Sequence, residues 1–149
     1  MKYELTVYEK AIGKERPRFN MYQKRTYTPQ KTKNYEGLIK MSFYKKYGFK
    51  NEPCKNEIHV KIAVYYKPPK SYSKKRSKEL IDNVRGYMCK PDVDNIAKAV
   101  LDALNGVIWV DDKQVVELTV KKYYGTSDKI QIEIEDKLGG LENAWYRRN

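Results

Sequence analysis

The sequence predicts an α+β domain, a mixed β-sheet of at least four strands with helices packed on it. Three patterns predict it. Apolar and polar residues alternate over 2–8, 58–66, 116–121 and 130–135, the period of half-buried strands. Apolar residues recur at three- and four-residue steps over 35–47 and 93–104, the period of helices with one buried face. Strands with one apolar face need a cover, and the helices supply it. With 149 residues, the chain is expected to form one domain, 1–149, large enough for its own core.

The elements follow in order. Tyr3, Leu5 and Val7 lie on one face of the first strand, with Lys2, Glu4, Thr6 and Tyr8 on the other. Residues 10–50 then carry 12 Lys and Arg against two Glu, with Phe19, Tyr22 and Tyr27 interleaved. Loops of this kind suit phosphate contact plus stacking on exposed bases. Arg16 and Arg18 lead as phosphate clamps, because a guanidinium can grip phosphate oxygens through two bonds; Lys24 and Arg25 extend the same basic stretch. The competing reading is a solvated loop with some core aromatics. Tyr35, Leu38, Ile39, Phe43 and Tyr47 give a helical period that Gly48 ends. Ile58, Val60, Ile62, Val64 and Tyr66 form the clearest strand, stopped by Pro68-Pro69. Residues 70–85 predict a short basic helix anchored by Leu80, Ile81 and Val84. Its Lys74, Lys75 and Arg76 are either a solvated face or a guide for a DNA arm.

The next helix holds the chemistry. Val93, Ile96, Ala97, Val100, Leu101 and Leu104 form its apolar side, while Asp94, Lys98, Asp102 and Asn105 fall on a stripe roughly opposite. Asp92 and Asp94 straddle its entrance and Gly106 suits its stop. Asp111 and Asp112 follow the apolar run Val107-Ile108-Trp109-Val110, close enough in sequence for a short connection to fold them back toward the helix. Carboxylates held together repel one another, and a hard divalent cation such as Mg²⁺ or Mn²⁺ relieves that conflict and activates a water. Removing one such charge, as in Asp94→Asn, is then expected to raise stability without metal. The plainer readings are helix caps for Asp92 and Asp94, a turn for Asp111-Asp112, and a surface ion pair between Asp94 and Lys98. Val116, Leu118 and Val120, then Ile130, Ile132 and Ile134, predict two strands joined as a hairpin by Gly125-Thr126-Ser127-Asp128. Gly139-Gly140 breaks the pattern before a short tail in which Trp145 is a candidate docking residue.

Composition narrows the partners. A net charge of +12 favours a polyanion. No 18-residue apolar run or signal-peptide core is present, so a cytoplasmic protein without membrane attachment is expected. Cys54 and Cys89 lack metal-ligand spacing and read as free thiols; with His59 the single histidine a zinc site is improbable, and its place in a strand alternation reads as strand surface.

The run Asp92-Val-Asp94-Asn95-Ile-Ala-Lys98-Ala-Val-Leu-Asp102-Ala103-Leu104-Asn105, then Trp109-Val-Asp111-Asp112-Lys-Gln114-Val115-Val116, resembles the signature of the RusA family of Holliday junction resolvases. The Arg-Pro-Arg and Tyr-Thr-Pro segments resemble the N-terminal part of phage-type members, where they are expected to help hold DNA. The resemblance implies a RusA-like fold and a homodimeric, Mg²⁺-dependent endonuclease making paired nicks in four-way DNA junctions, in a bacterial or phage-infected cell or from a prophage. It places the catalytic acids on Asp92, Asp94 and Asp112 and the catalytic lysine on Lys98. It leaves Asp111 versus Asp112 open as the metal ligand of that pair, with Asp111 either helping or only shaping the turn. Two alternatives remain: a metal nuclease of the loose PD-(D/E)xK type, formally met by Pro91-Asp92 and Asp111-Asp112-Lys113, and a non-catalytic basic DNA-binding protein.

Overall fold

The computed structural model describes residues 1–136; Gly139-Gly140 and the tail with Trp145 lie outside the described residues. The main sheet has the order β1 (Lys2–Val7), β6 (Lys129–Asp136), β4 (Ile58–Tyr66), β5 (Val115–Tyr124). It is mixed, because β1–β6 and β6–β4 run antiparallel and β4–β5 runs parallel. Helices α1 (Gln30–Tyr47) and α3 (Val93–Leu104) cover one face, and α2 (Lys74–Asp82) lies between β4 and α3 in sequence. The fold class read from the sequence stands.

The core forms where the two periods meet. Ile58, Val60, Ile62, Val64 and Tyr66 of β4 are all buried, as alternation demands of a central strand. Leu5, Val7, Ile130, Ile132 and Ile134 continue that face. Tyr35, Ile39 and Phe43 descend onto it from α1, and Ile96, Ala99, Val100, Ala103 and Leu104 from α3. His59 faces the other side of the sheet, with Nδ1 3.0 Å from the Glu117 carboxylate, and takes no part in the site.

Five expectations need correction. β5 and β6 are not a hairpin, because β4 lies between them. The 125–128 turn instead wraps the end of β4: Gly125 N–H donates to the Tyr66 carbonyl at 3.0 Å, and Lys67 N–H donates to Asp128 at 2.9 Å. A side chain at Gly125 would meet Tyr65 Cβ at 2.9 Å, which is why only glycine passes there. Val116 and Leu118 stay exposed, since β5 is an edge strand and a register shift beside Ile58 takes Val116 out of the alternation. Val93 and Val84 are also exposed; Val93 precedes the buried stripe that begins at Ile96, and Val84 sits past the end of α2 with φ of 47°. Leu38 likewise points outward, and α1 starts earlier than its apolar period, at Gln30. Finally, part of the basic N-terminal stretch is a separate hairpin, β2 (Arg18–Asn20) with β3 (Arg25–Tyr27), which lacks the apolar alternation that would mark it in sequence.

Candidate active site

Helix α3 carries the candidate residues in a line. Asp92 occupies its N-cap position with extended backbone, φ −71° and ψ 153°, yet its carboxylate makes no capping hydrogen bond. Asp94 stands in the first turn. Both are exposed, and among the described residues neither has an ion-pair or hydrogen-bond partner. A negative charge is favoured at the positive end of a helix dipole. The capping reading of Asp92 therefore fails on geometry, and two free carboxylates remain at one helix end. Lys98, one turn further on, is exposed and equally unpartnered, so the Asp94–Lys98 surface pair does not form.

Asp102 stands a turn beyond Lys98 and closes the line. Lys14 ties it down: its Nζ lies 3.0 Å from Asp102 and also bonds Glu36 of α1. Burial alone would push the Lys14 ammonium down, but the two carboxylates hold it above the usual lysine range. Lys14 is thus a structural pin between α1, α3 and the loop, and not a free phosphate ligand.

The second acid pair splits into two jobs. Asp111 begins a short 3₁₀ turn, Asp112–Gln114, in a capping box: its carboxylate accepts from Lys113 N–H at 2.9 Å. The turn reading suits this residue. Asp112 points inward and accepts from the indole N–H of the fully buried Trp109 at 2.8 Å. Burial raises its carboxyl above the usual range; the Trp109 bond opposes this, and the charges of Asp102 and Asp111 add to it. Gln114 fastens the turn. Its Oε1 accepts from the N–H groups of Val110 and Asp111, both at 2.9 Å, and its Nε2 donates to the carbonyls of Cys54 at 2.8 Å and Asn56 at 2.9 Å. Gln114→Ala should leave these groups to water or unpaired and cost about 2–3 kcal/mol, read in a denaturant melt.

The connection folds Asp112 toward α3, as the short linker predicts, but within range of the Asp102 charge, which acts on its carboxyl. Asp94 and Asp102 are eight residues apart, about 12 Å along the axis. The acids are therefore strung along the helix. Among the described residues, no three Asp, Glu, His or Cys side chains could together hold a metal ion. An all-protein cage does not fit. A hydrated Mg²⁺ does, since it needs only one or two carboxylates and completes its shell with waters and phosphate oxygens. Asp92 and Asp94 are the carboxylates free to serve.

The surroundings are basic. An open groove of about 520 Å³ beside Asp92 is lined by Lys10, Lys31 and Lys90 as well as the Lys14 pin. Lys10 and Lys31 went unrecognised in the sequence because each is far from Asp92 along the chain. The one hint was Gly13, where a side chain would meet Pro91 and Asn95 at 3.0 Å. Asp102 was visible on the polar stripe, but not the action of its charge on Asp112. Arg16, Arg18, Lys24 and Arg25 are all exposed on or next to the β2–β3 hairpin, and Arg18 lies 3.5 Å from Glu15. Lys74, Lys75 and Arg76 open α2, whose first turn has no acid. Three cations at the positive end of a helix dipole oppose the helix, so their placement favours an external anion. Arg76 lies over the Tyr72 ring at 3.6 Å.

No helix among the described residues is long and apolar enough to cross a membrane. Cys54 and Cys89 are free thiols. The sequence matches the family described as Endodeoxyribonuclease RusA over residues 9–135. It is also 30% identical over 140 residues to a protein of Bacillus subtilis (strain 168) described as uncharacterized protein YqaN, which covers 89% of this chain and 95% of that one. That match spans the basic N-terminal region, α3 and the acid turn, and the chain belongs to the RusA family of endodeoxyribonucleases.

Proposed function

We propose that this protein is a Mg²⁺-dependent endodeoxyribonuclease that resolves four-way DNA junctions by paired nicks, as a homodimer in the bacterial cytoplasm. The observation that carries the reading is the pair of unpartnered carboxylates at the entrance of α3, Asp92 and Asp94, with Asp92 lining a basic groove in a chain of net charge +12. Family membership supplies the reaction class.

Asp92 and Asp94 would hold the ion, with Mn²⁺ able to substitute. When bound, such an ion polarises the phosphodiester and lowers the pKa of a water. Lys98 faces the same side of α3 and stabilises charge gathering on the scissile phosphate. Asp112, raised in pKa and bonded by Trp109, would serve as a further acid, and Asp111 would shape the turn that holds it. Arg16, Arg18, Lys24, Arg25, Lys74, Lys75 and Arg76 bind DNA backbone and carry little sequence information. Two symmetric cuts call for two copies related by a two-fold axis.

Replacing Lys74, Lys75 and Arg76 together with Ala should weaken junction binding and flatten its salt dependence by roughly 0.9 per lost phosphate contact, without loss of fold. An unchanged slope in a salt titration would remove α2 from the DNA surface. The function itself is tested with an end-labelled four-way junction, in Mg²⁺ and in EDTA, beside a linear duplex of the same sequence. Paired Mg²⁺-dependent nicks with the duplex spared support the reading. Equal cutting of both points to a general metal nuclease, and binding without cutting to a DNA-binding protein.

A further inference from the structure

We infer that the β2–β3 hairpin is a stacking finger for unpaired DNA bases, with Tyr22 at its tip, set beside the acids to favour branched over continuous duplex. This rests on the reading of the protein as a junction nuclease.

The hairpin projects four large apolar side chains into solvent. Phe19 is 57% exposed, Met21 78%, Tyr22 99% and Tyr27 42%. Isolated exposed apolar residues are ordinary, but four within nine residues of one hairpin, with Phe19 on the face opposite Tyr27, put open apolar groups on both of its faces. A two-stranded hairpin is marginal by itself, so docking these rings onto the domain would be the stabilising choice. The chain spends polar bonds to hold the tip out instead. Asn20 Oδ1 accepts from the N–H groups of Tyr22 at 2.9 Å and Gln23 at 3.0 Å, and Lys24 takes a left-handed φ of 49°.

Charge selects the occupant. Residues 14–25 carry five Lys or Arg against one Glu. Arg18 and Arg25 share one face of the hairpin with Tyr27, given the pairing of Arg18 with Tyr27 and Asn20 with Arg25. Arg25 Nε donates to Gln23 at 2.8 Å, which steadies the guanidinium while the residue stays exposed. Cations interleaved with open aromatic faces suit a phosphate backbone with splayed bases, because every base offers a π-face. In a continuous duplex those faces are already covered by neighbouring bases. At an open branch point the last base pair of each arm has one face uncovered.

Position links the finger to the site. Lys14 N–H donates to the Asn95 carbonyl at 3.0 Å, and Gly13 backs onto Pro91 and Asn95. The segment that leads into the hairpin, four residues before β2, is therefore fixed against the first turn of α3, where Asp92 and Asp94 stand.

The test compares wild type, Tyr22→Ser and Tyr22→Phe for binding to a thymidine oligonucleotide, a linear duplex and a four-way junction in EDTA, across a salt series. Tyr22→Ser should bind the oligonucleotide and the junction roughly tenfold more weakly, with duplex affinity and all salt slopes unchanged, and Tyr22→Phe should restore binding. Undiminished oligonucleotide binding by Tyr22→Ser overturns the inference. So does an equal loss on duplex, which would mean a general defect, or a change in oligomeric state, which would make the patch a contact between copies. Wild-type junction cleavage in Mg²⁺, run on the same preparation, tests the nuclease reading separately, because the oligonucleotide arm does not need it.

Discussion

Asp94→Asn is expected to lower junction cleavage by roughly 100-fold or more while leaving junction affinity in EDTA unchanged. The substitution keeps the shape of the side chain and removes the charge that would hold a cation. Asp94 is exposed and makes no contact among the described residues that the fold depends on. Its stability effect should therefore be nil or slightly unfavourable, since the helix N-terminus prefers an acid. Any gain in metal-free stability from removing a repelling charge is limited to the repulsion from Asp92 at the same helix end, because no three such acids gather there among the described residues. Cleavage by Asp94→Asn at the wild-type rate would remove this residue from the chemistry.

Asp112→Asn is where the stability gain should appear. Asp112 is half-buried, takes the Trp109 indole N–H, and stands near two other carboxylates. Its folded pKa lies above its unfolded one, so its contribution is favourable at acidic pH and is lost as pH rises through the raised value. An amide keeps an oxygen for Trp109 and carries no charge to repel. The variant should melt higher than wild type at pH 7, with the difference shrinking as pH falls through the raised value to the ordinary carboxylate range and constant below it. Cleavage should fall by roughly 100-fold or more at the same time. A more stable and less active protein is the signature of an acid kept for function against the interest of the fold. A variant that is less stable at pH 7 would instead mark Asp112 as a purely structural acceptor.

Much of this was legible in the sequence, and for physical reasons. The β4 alternation and the α3 stripe report burial directly, because period two and period 3.6 each map one face onto the core. Asp92, Asp94 and Lys98 were legible because they lie within one helical stretch, where spacing fixes their shared side. What was not legible depended on long-range pairing. The insertion of β4 between β5 and β6 is a choice among strand partners that alternation does not encode, so a four-residue turn looked like a hairpin. The edge position of β5 left Val116 and Leu118 exposed although their pattern resembles that of a covered strand. The partition of Asp111 and Asp112 turned on Gln114 reaching the 54–56 segment, about 60 residues away in sequence. Lys14 looked like one more basic loop residue and is a pin between two carboxylates.

The account's central claim is that the metal-dependent chemistry sits at the entrance of α3, on Asp92 and Asp94, and not on a four-acid cage. Mn²⁺ binding, followed by water-proton relaxation on wild type, Asp92→Asn, Asp94→Asn and Asp111→Asn, tests it most directly. The account predicts that binding weakens strongly in the first two variants and is unchanged in Asp111→Asn. Binding lost in Asp111→Asn and kept in Asp94→Asn would contradict it and move the site to the turn before β5.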